Sequence, residues 1–397
     1  MPRYRCYRSD GRDAPSPYPT LRGAVPRSSP RVVDLIEHRR RTQPRSTERD
    51  QAPPRSGVDF VHEGTRYAYS VEANAWGIAR EELWEVGPRH KKLFIRTQGE
   101  HDAEPAIDSG PSLKGATAEV RRITTAQDLF LAVALKYRHT TLTPVARGLR
   151  SFRFVLHSDQ ERTARLHWMM GRLAEKPEWW SDVADAIAHT ADLGITRVEL
   201  EEKDIPPELL EHLRRILSTS DDEEVTIAEE MLAVLKRSLV FYHRGADGRE
   251  YRLTLGAQSQ GTLTWLATVG PALDALKKGQ TLFVDELDAS LHPTLSTTLV
   301  ELFKDPTLNR TGAQLVFTTH DTSLLDNSPT QLLDSGEVWM CEKSSEGSSE
   351  LFSLADFTSM RKGTNKQRRY LVGSFGAIPT VDTSKIRRLL ATDHEAP

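Results

Sequence analysis

The chain has 397 residues, 38% hydrophobic and 27% charged, with a formal net charge of −3, enough apolar mass for two domains or one elaborated domain. No apolar run approaches the roughly 18 residues of a membrane helix, the N-terminal MPRYRCYRSDGRD lacks a secretory apolar core, and near-neutral charge argues against a generally basic nucleic-acid binder. Two cysteines, Cys6 and Cys341, exclude a disulfide framework and fit a reducing cytoplasm.

Residues 1–56 hold thirteen Arg, no Lys and nine of the 22 Pro, so they carry a net +7 and leave −10 to residues 57–397. Only fourteen of the 56 are apolar, too few to offset the ordering entropy of a packed segment. The segment reads as a disordered Arg/Pro-rich leader, with one or two helical turns at Val32, Val33, Leu35 and Ile36. Residues 57–116 read as an antiparallel β region. VDFVHEGTRYAYSV alternates apolar and polar positions about Glu63-Gly64, and ELWEV and KKLFIRT flank Gly87-Pro88. Residues 117–237 read as a helical insertion: an apolar-rich helix spans 117–137, and the stretch from 160 onward is mostly helical. Ser181 caps one of its helices and Gly194 ends it. Trp179 and Trp180 read as core, and the acidic run from Asp221 to Glu224 as a solvated helix N-terminus.

Residues 238–380 have a different texture. LVFYHR and YRLTL form a strand pair about Gly245 and Gly248, followed by a helix (261–277), a strand (281–284), a helix (294–303) and a strand (314–317). The last two strands are short and almost wholly apolar, as in a parallel sheet buried on both faces. Residues 381–397 read as a tail.

The chemistry sits in LFVDELDASLHP, residues 282–293. A strand ending in Asp285 and Glu286 sets two carboxylates at the C-terminal edge of a parallel sheet, where ligands of open α/β sheets bind. Asp285 suits a Mg²⁺ that bridges nucleotide phosphates. Glu286 suits the base that orients and deprotonates an attacking water. Downstream, AQLVFTTHDTSLLD ends a second strand at His320, which a parallel neighbour brings toward a phosphate near Glu286. Upstream, Ser259-Gln260-Gly261-Thr262 opens a helix, whose free N–H groups and dipole attract an anion. Taken singly, each has a plain structural reading: a polar turn, a structural histidine, a serine cap.

Together and in this order they resemble the signature loop, Walker B strand, D-loop and switch histidine of ABC/SMC-type ATPases. DELDASLHP, GAQLVFTTHDTSLLD, PSLKGATAEVRRITTAQDLFLAVAL and RRYLVGSFGAIP resemble bacterial AAA-like ATP-binding proteins with an ABC-style core, several of them from phage-resistance or abortive-infection systems. The resemblance covers residues 57–380. It implies an α/β, P-loop NTPase-like core with an antiparallel side sheet and a helical insertion. It implies ATP and Mg²⁺ as cofactors, with Glu286 and His320 catalytic, Asp285 on the metal, and Ser259, Gly261, Thr262 and Asp288 at the nucleotide. The partners it implies are a second ATPase subunit, in a homo- or heterodimer, and a nuclease-type effector, in the cytoplasm and away from any membrane.

One departure is large. No GxxxxGK[ST] string occurs in the sequence; the nearest, from Gly110 to Thr117, has Ala116 at the lysine position and no apolar strand leading into it. Gln258 also stands where an acidic residue often precedes the signature serine in relatives. A triphosphate carries about four negative charges, which P-loop enzymes hold with a nest of N–H groups and one Lys. Without that strand, loop and helix, apolar sheet surface should be exposed. Two rival readings follow: a non-catalytic subunit that lends its signature loop to an intact ATPase, and a metal-dependent nuclease built on Asp285, Glu286 and Asp288. The basic cluster Arg361, Lys362, Lys366, Arg368 and Arg369 reads as a solvated helix face, with nucleic acid as the alternative.

Overall fold

The computed structural model describes residues 34–36, 55–176, 194–202, 236–344, 347–357, 363–379 and 381–392, with isolated helical positions between 178 and 189. Trp179, Trp180, Ser181, the run from Asp221 to Glu224, Arg361 and Lys362 lie outside the described residues.

Six strands form an antiparallel meander in chain order: β1 (Asp34–Ile36), β2 (Arg55–His62), β3 (Thr65–Asn74), β4 (Gly77–Val86), β5 (Lys91–Thr97) and β6 (Ala106–Ser109). Glu63 and Gly64 both take positive φ, 49° and 78°, the backbone that a tight two-residue hairpin requires. Strand β1 corrects the reading of Leu35 and Ile36 as helical, while Val32 and Val33 lie outside the described residues. Leu35 pairs with Val58, because the edge of β2 offers backbone partners that an isolated helical turn lacks.

Helices α1 (Thr117–Ile123), α2 (Phe130–Lys136) and α3 (Leu142–Leu149) share a core with this sheet, built around Phe60, Leu83, Phe94, Phe130 and Leu142. The single helix expected over 117–137 is therefore two. The chain turns where the Asp128 carboxylate accepts from the Thr125 N–H (2.9 Å) and hydroxyl (2.6 Å). Restarting α2 needs an acceptor for its first N–H groups, and Glu81 of β4 supplies it. Fully buried, Glu81 accepts from the N–H groups of Phe130 (2.6 Å) and Leu131 (3.0 Å) and from the Tyr69 hydroxyl (2.8 Å).

The second half is α/β. Here β7 (Arg153–Val155), α4 (Asp159–Glu175), β8 (Ile195–Glu202), β9 (Arg237–Arg244), β10 (Glu250–Thr254), α5 (Gln260–Lys278), β11 (Thr281–Val284), α6 (Pro293–Lys304) and β12 (Gln314–Phe317) follow in order. Strand β11 is central, parallel to β12 on one side and to β7 on the other. Strands β7 and β8 fall inside the stretch expected to be helical. The tripeptide of β7 is too short to carry periodicity, and it becomes a strand by pairing with β11. The alternating ITRVELEE of β8 pairs antiparallel with β9. The core of this half joins Val155, Leu282 and Val284 to Leu166 and Met169 of α4, Trp265 and Leu266 of α5, and Leu299 of α6. Buried Arg165 ties α4 to both neighbours, donating to the carbonyls of Leu156 (2.8 Å) and Ala267 (3.1 Å).

The opposite face of the parallel sheet is apolar and open. Phe154 is 62% exposed and Leu156 45% exposed. A hairpin of β13 (Trp339–Lys343) and β14 (Ser349–Ser353) and helix α7 (Lys366–Leu371) surround a small third core of Met340, Leu354 and Phe375; helix α8 (Ser384–Thr392) follows. Among the described residues no helix is long and apolar enough to cross a membrane.

Glu81→Ala strands three buried donors at the junction of β3, β4 and α2. It is expected to cost about 2–4 kcal/mol of unfolding free energy, measured by urea denaturation. A loss within the ±0.5 kcal/mol typical of surface substitutions would contradict the capping role.

Candidate active site

The C-terminal ends of β11 and β12 lie side by side, with Val284 opposite Phe317. A parallel ladder in register delivers the next residues of both strands to one edge, so Asp285 and Glu286 meet Thr318, while Asp288 meets Thr319 and His320. The Thr318 hydroxyl donates to Asp285 Oδ1 (2.6 Å) and accepts from the Glu286 N–H (2.8 Å). The Thr318 carbonyl accepts from the Leu287 N–H (2.8 Å), and the Asp285 N–H donates back to the Val155 carbonyl of β7 (3.0 Å). The carboxylates of Asp285 and Glu286 are thus set on a fixed backbone while their side chains stay exposed.

Within the loop from Asp285 to His292, Glu286 and Ser290 hold positive φ of 53° and 60°. Such conformations are uncommon outside glycine and cluster at functional sites. Asp288 turns inward: its Oδ1 accepts from the Thr319 hydroxyl (2.6 Å) and the His320 N–H (3.0 Å). Burial works against its charge, but these two donors and the nearby His320 ring outweigh it and hold the Asp288 carboxyl below the usual range.

Ser259 is the N-cap of α5, its hydroxyl accepting from the Thr262 N–H (3.1 Å) and lying 2.8 Å from the Thr262 hydroxyl. The plain capping role is therefore filled. The helix start also abuts the loop from Asp285 to His292, since a Cβ on Gly261 would stand 3.0 Å from the Ser290 carbonyl oxygen. A side chain at Gly261 would press on that loop. The elements carrying Ser259, Gly261 and Thr262, Asp285, Glu286 and Asp288, and His320 accordingly form one contiguous edge.

Three participants were not singled out from the sequence. Thr318 and Thr319 precede His320 directly, and paired hydroxyls at the end of an apolar strand were the available signal. His157 follows β7 and had no motif to mark it. Its Nε2 is buried without a hydrogen-bond partner. Burial holds its imidazole below the ordinary pKa, helped by Arg165 and opposed by the nearby Glu286 and Asp285. The arginines beside this edge are engaged on their own helix, Arg162 with Asp159 (2.7 Å) and Arg165 with Glu161 (3.9 Å).

The donor chemistry suits a divalent cation: hard carboxylate oxygens of Asp285 beside a threonine hydroxyl. Among the described residues no group of three or more His, Cys, Asp or Glu converges to hold a metal, so a cation here would draw further ligands from phosphate and water. The fit to a triphosphate is poor, because the edge presents carboxylates and the sequence offers no phosphate-loop lysine.

Residues 34–326 match the family described as "AAA domain, putative AbiEii toxin, Type IV TA system". The chain belongs to this AAA-type ATPase family. The AAA domain so defined takes in the meander, the parallel sheet and the whole candidate edge through His320, and gives the fold its class, α/β of the P-loop NTPase type. The β13–β14 module and α8 lie beyond the matched residues. No curated protein matches the chain.

Asp288 supplies a pH test of this geometry. A carboxyl with a lowered folded pKa contributes stability above its unfolded value of about 3.9, and that contribution is lost as pH falls through the folded value. Asp288→Ala is expected to lower Tm at neutral pH, with the difference from the parent shrinking as the pH falls below the unfolded value. A difference independent of pH would contradict the ionised anchor.

Proposed function

We propose that this AAA domain works in a composite nucleotide site, contributing the catalytic edge and the signature-like helix start to an ATPase subunit that brings its own phosphate loop. The observation that carries this reading is the joining of Asp285 and Glu286 to Thr318, and of Asp288 to Thr319 and His320, in a sequence without GxxxxGK[ST]. In this reading Asp285 holds Mg²⁺, Glu286 orients and deprotonates water, and His320 faces the phosphate. Asp288 fixes the loop, while the helix start at Ser259 and Gly261 faces the nucleotide of the partner and the Thr262 N–H holds the Ser259 hydroxyl in place. Bound ATP supplies the transferable phosphoryl group, and the chain's own residues position and deprotonate the water. The toxin–antitoxin description of the family supports a role in abortive infection or phage defence. A cytoplasmic complex with a nuclease-type effector belongs to the same proposal.

The nuclease reading finds less support. Asp288 is engaged by Thr319 and His320 instead of joining Asp285, and no metal-holding acidic group converges among the described residues.

The test is turnover in a mixture with an intact homologue, measured above the rate of that homologue alone. Glu286→Gln is expected to lower the added rate by about 10²–10⁴-fold, the usual cost of losing a general base. Ser259→Arg is expected to abolish it by placing bulk and charge at the helix start. An added rate unchanged by both substitutions would contradict the composite site.

A further inference from the structure

Strands of a parallel sheet normally have both faces covered. Here one face is packed, by Val155, Leu282 and Val284 against the helices. The other face carries Phe154, Phe283 and Val316 in one row across β7, β11 and β12. Phe154 stacks on Phe283 with centroids 5.0 Å apart and 13° between the rings, and Phe152 meets Phe283 edge-on at 5.7 Å. Even so, Phe154 stays 62% exposed. Among the described residues no strand pairs with the outer side of β12. The row is aromatic and open at its Phe154 end.

A second exposed apolar feature lies outside the matched family region. In α8, Ile386, Leu389 and Leu390 are 59%, 68% and 64% exposed, and their i, i+3, i+4 spacing sets them in one stripe. A helix of nine residues is too short to be stable in water on its own; packing of its apolar stripe has to hold it. Within one chain the stripe and the sheet face are both exposed, so they do not meet.

They match in size and charge. Nine residues make a helix about 13 Å long, and three strands place their outer axes about 10 Å apart. The helix carries Lys385, Arg387 and Arg388 and no acidic residue over 384–392. On the sheet, Phe283 and Asp285 stand two residues apart and so share a face, with exposed Glu286 beside them. A helix seated on the Phe154–Phe283–Val316 row would bring its flanking cations toward those carboxylates.

We propose that this sheet face is the docking site for α8 of a second copy of the chain, two copies exchanging their C-terminal helices. Each chain holds one helix and one face, so the exchange closes as a two-fold dimer with two identical contacts. Ala377 is anchored to the third core, its carbonyl accepting from the Tyr370 hydroxyl (3.0 Å), and residues 378–383 then link it to α8. The contact lies beside the Asp285 and Glu286 carboxylates of the composite-site reading but requires no nucleotide, so a test made without nucleotide distinguishes its failure from the failure of that reading.

The test uses the full-length chain in a Cys6→Ser, Cys341→Ser background without nucleotide. One preparation carries Phe154→Cys and another Leu390→Cys; they are mixed, allowed to exchange and oxidised mildly. A disulfide-linked dimer from the mixture, and none from either preparation alone, is expected. Light scattering of the parent should give the mass of two chains, and Ile386→Glu with Leu390→Glu should weaken the dimer at least tenfold. Those two positions are exposed, so the substitutions leave the cores intact. A chain combining Phe154→Cys and Leu390→Cys that links only within itself, a monomeric parent, or a glutamate variant that stays fully dimeric would each overturn the proposal.

Discussion

The Thr318 hydroxyl is the point on which the candidate site depends. It donates to Asp285 and accepts from the Glu286 N–H, so one side chain fixes both the carboxylate suited to a cation and the backbone of the one suited to a base. It reaches both because β11 and β12 pair in register, Val284 against Phe317. A slip of one residue would turn Thr318 to the other face of the sheet and break both bonds. Around this bond the other ties fall into place: Asp288 to Thr319 and His320, Leu287 to Thr318, and Asp285 to Val155. The positive φ of Glu286 and Ser290 is held by that over-determined loop.

Charge sets the limit on what this edge does alone. Asp285 and Glu286 are exposed, Asp288 is ionised by its donors, and Arg162 and Arg165 are drawn to Asp159 and Glu161. An anion as dense as a triphosphate therefore meets like charge unless a cation and a second subunit supply the opposite sign. The same shortage has a packing counterpart. The sheet face beneath the edge is aromatic and exposed at Phe154. The electrostatic and the hydrophobic gaps thus lie at one place.

The sequence made the parallel strands legible because 281–284 and 314–317 are continuous apolar runs ended by charged or polar residues, and the structure places both strands at those bounds. The hairpin at Glu63-Gly64 was legible through its turn chemistry. Strand β7 was not, since three residues carry no period and only pairing with β11 makes them a strand. The break between α1 and α2 was hidden because its cause, Glu81, lies about fifty positions away in sequence and on a strand. Leu35 and Ile36 were misread for the same reason: a distant edge, not local propensity, decides their conformation. At the site, the carboxylates and His320 stood out by type and spacing. Thr318, Thr319 and His157 did not, because a hydroxyl or a lone imidazole gains meaning only from what the fold sets beside it.

The proposed composite site requires that this chain, with exposed carboxylates at the edge and no GxxxxGK[ST] string, bind nucleotide poorly when alone. Calorimetric titration of the purified chain with ATP and Mg²⁺ tests it most directly. Because helix-end N–H groups and one cation must offset the desolvation of several phosphate charges, binding weaker than about 1 mM is expected, near −4 kcal/mol. Micromolar binding, about −8 kcal/mol, would contradict the account and require a phosphate-binding loop elsewhere in the chain.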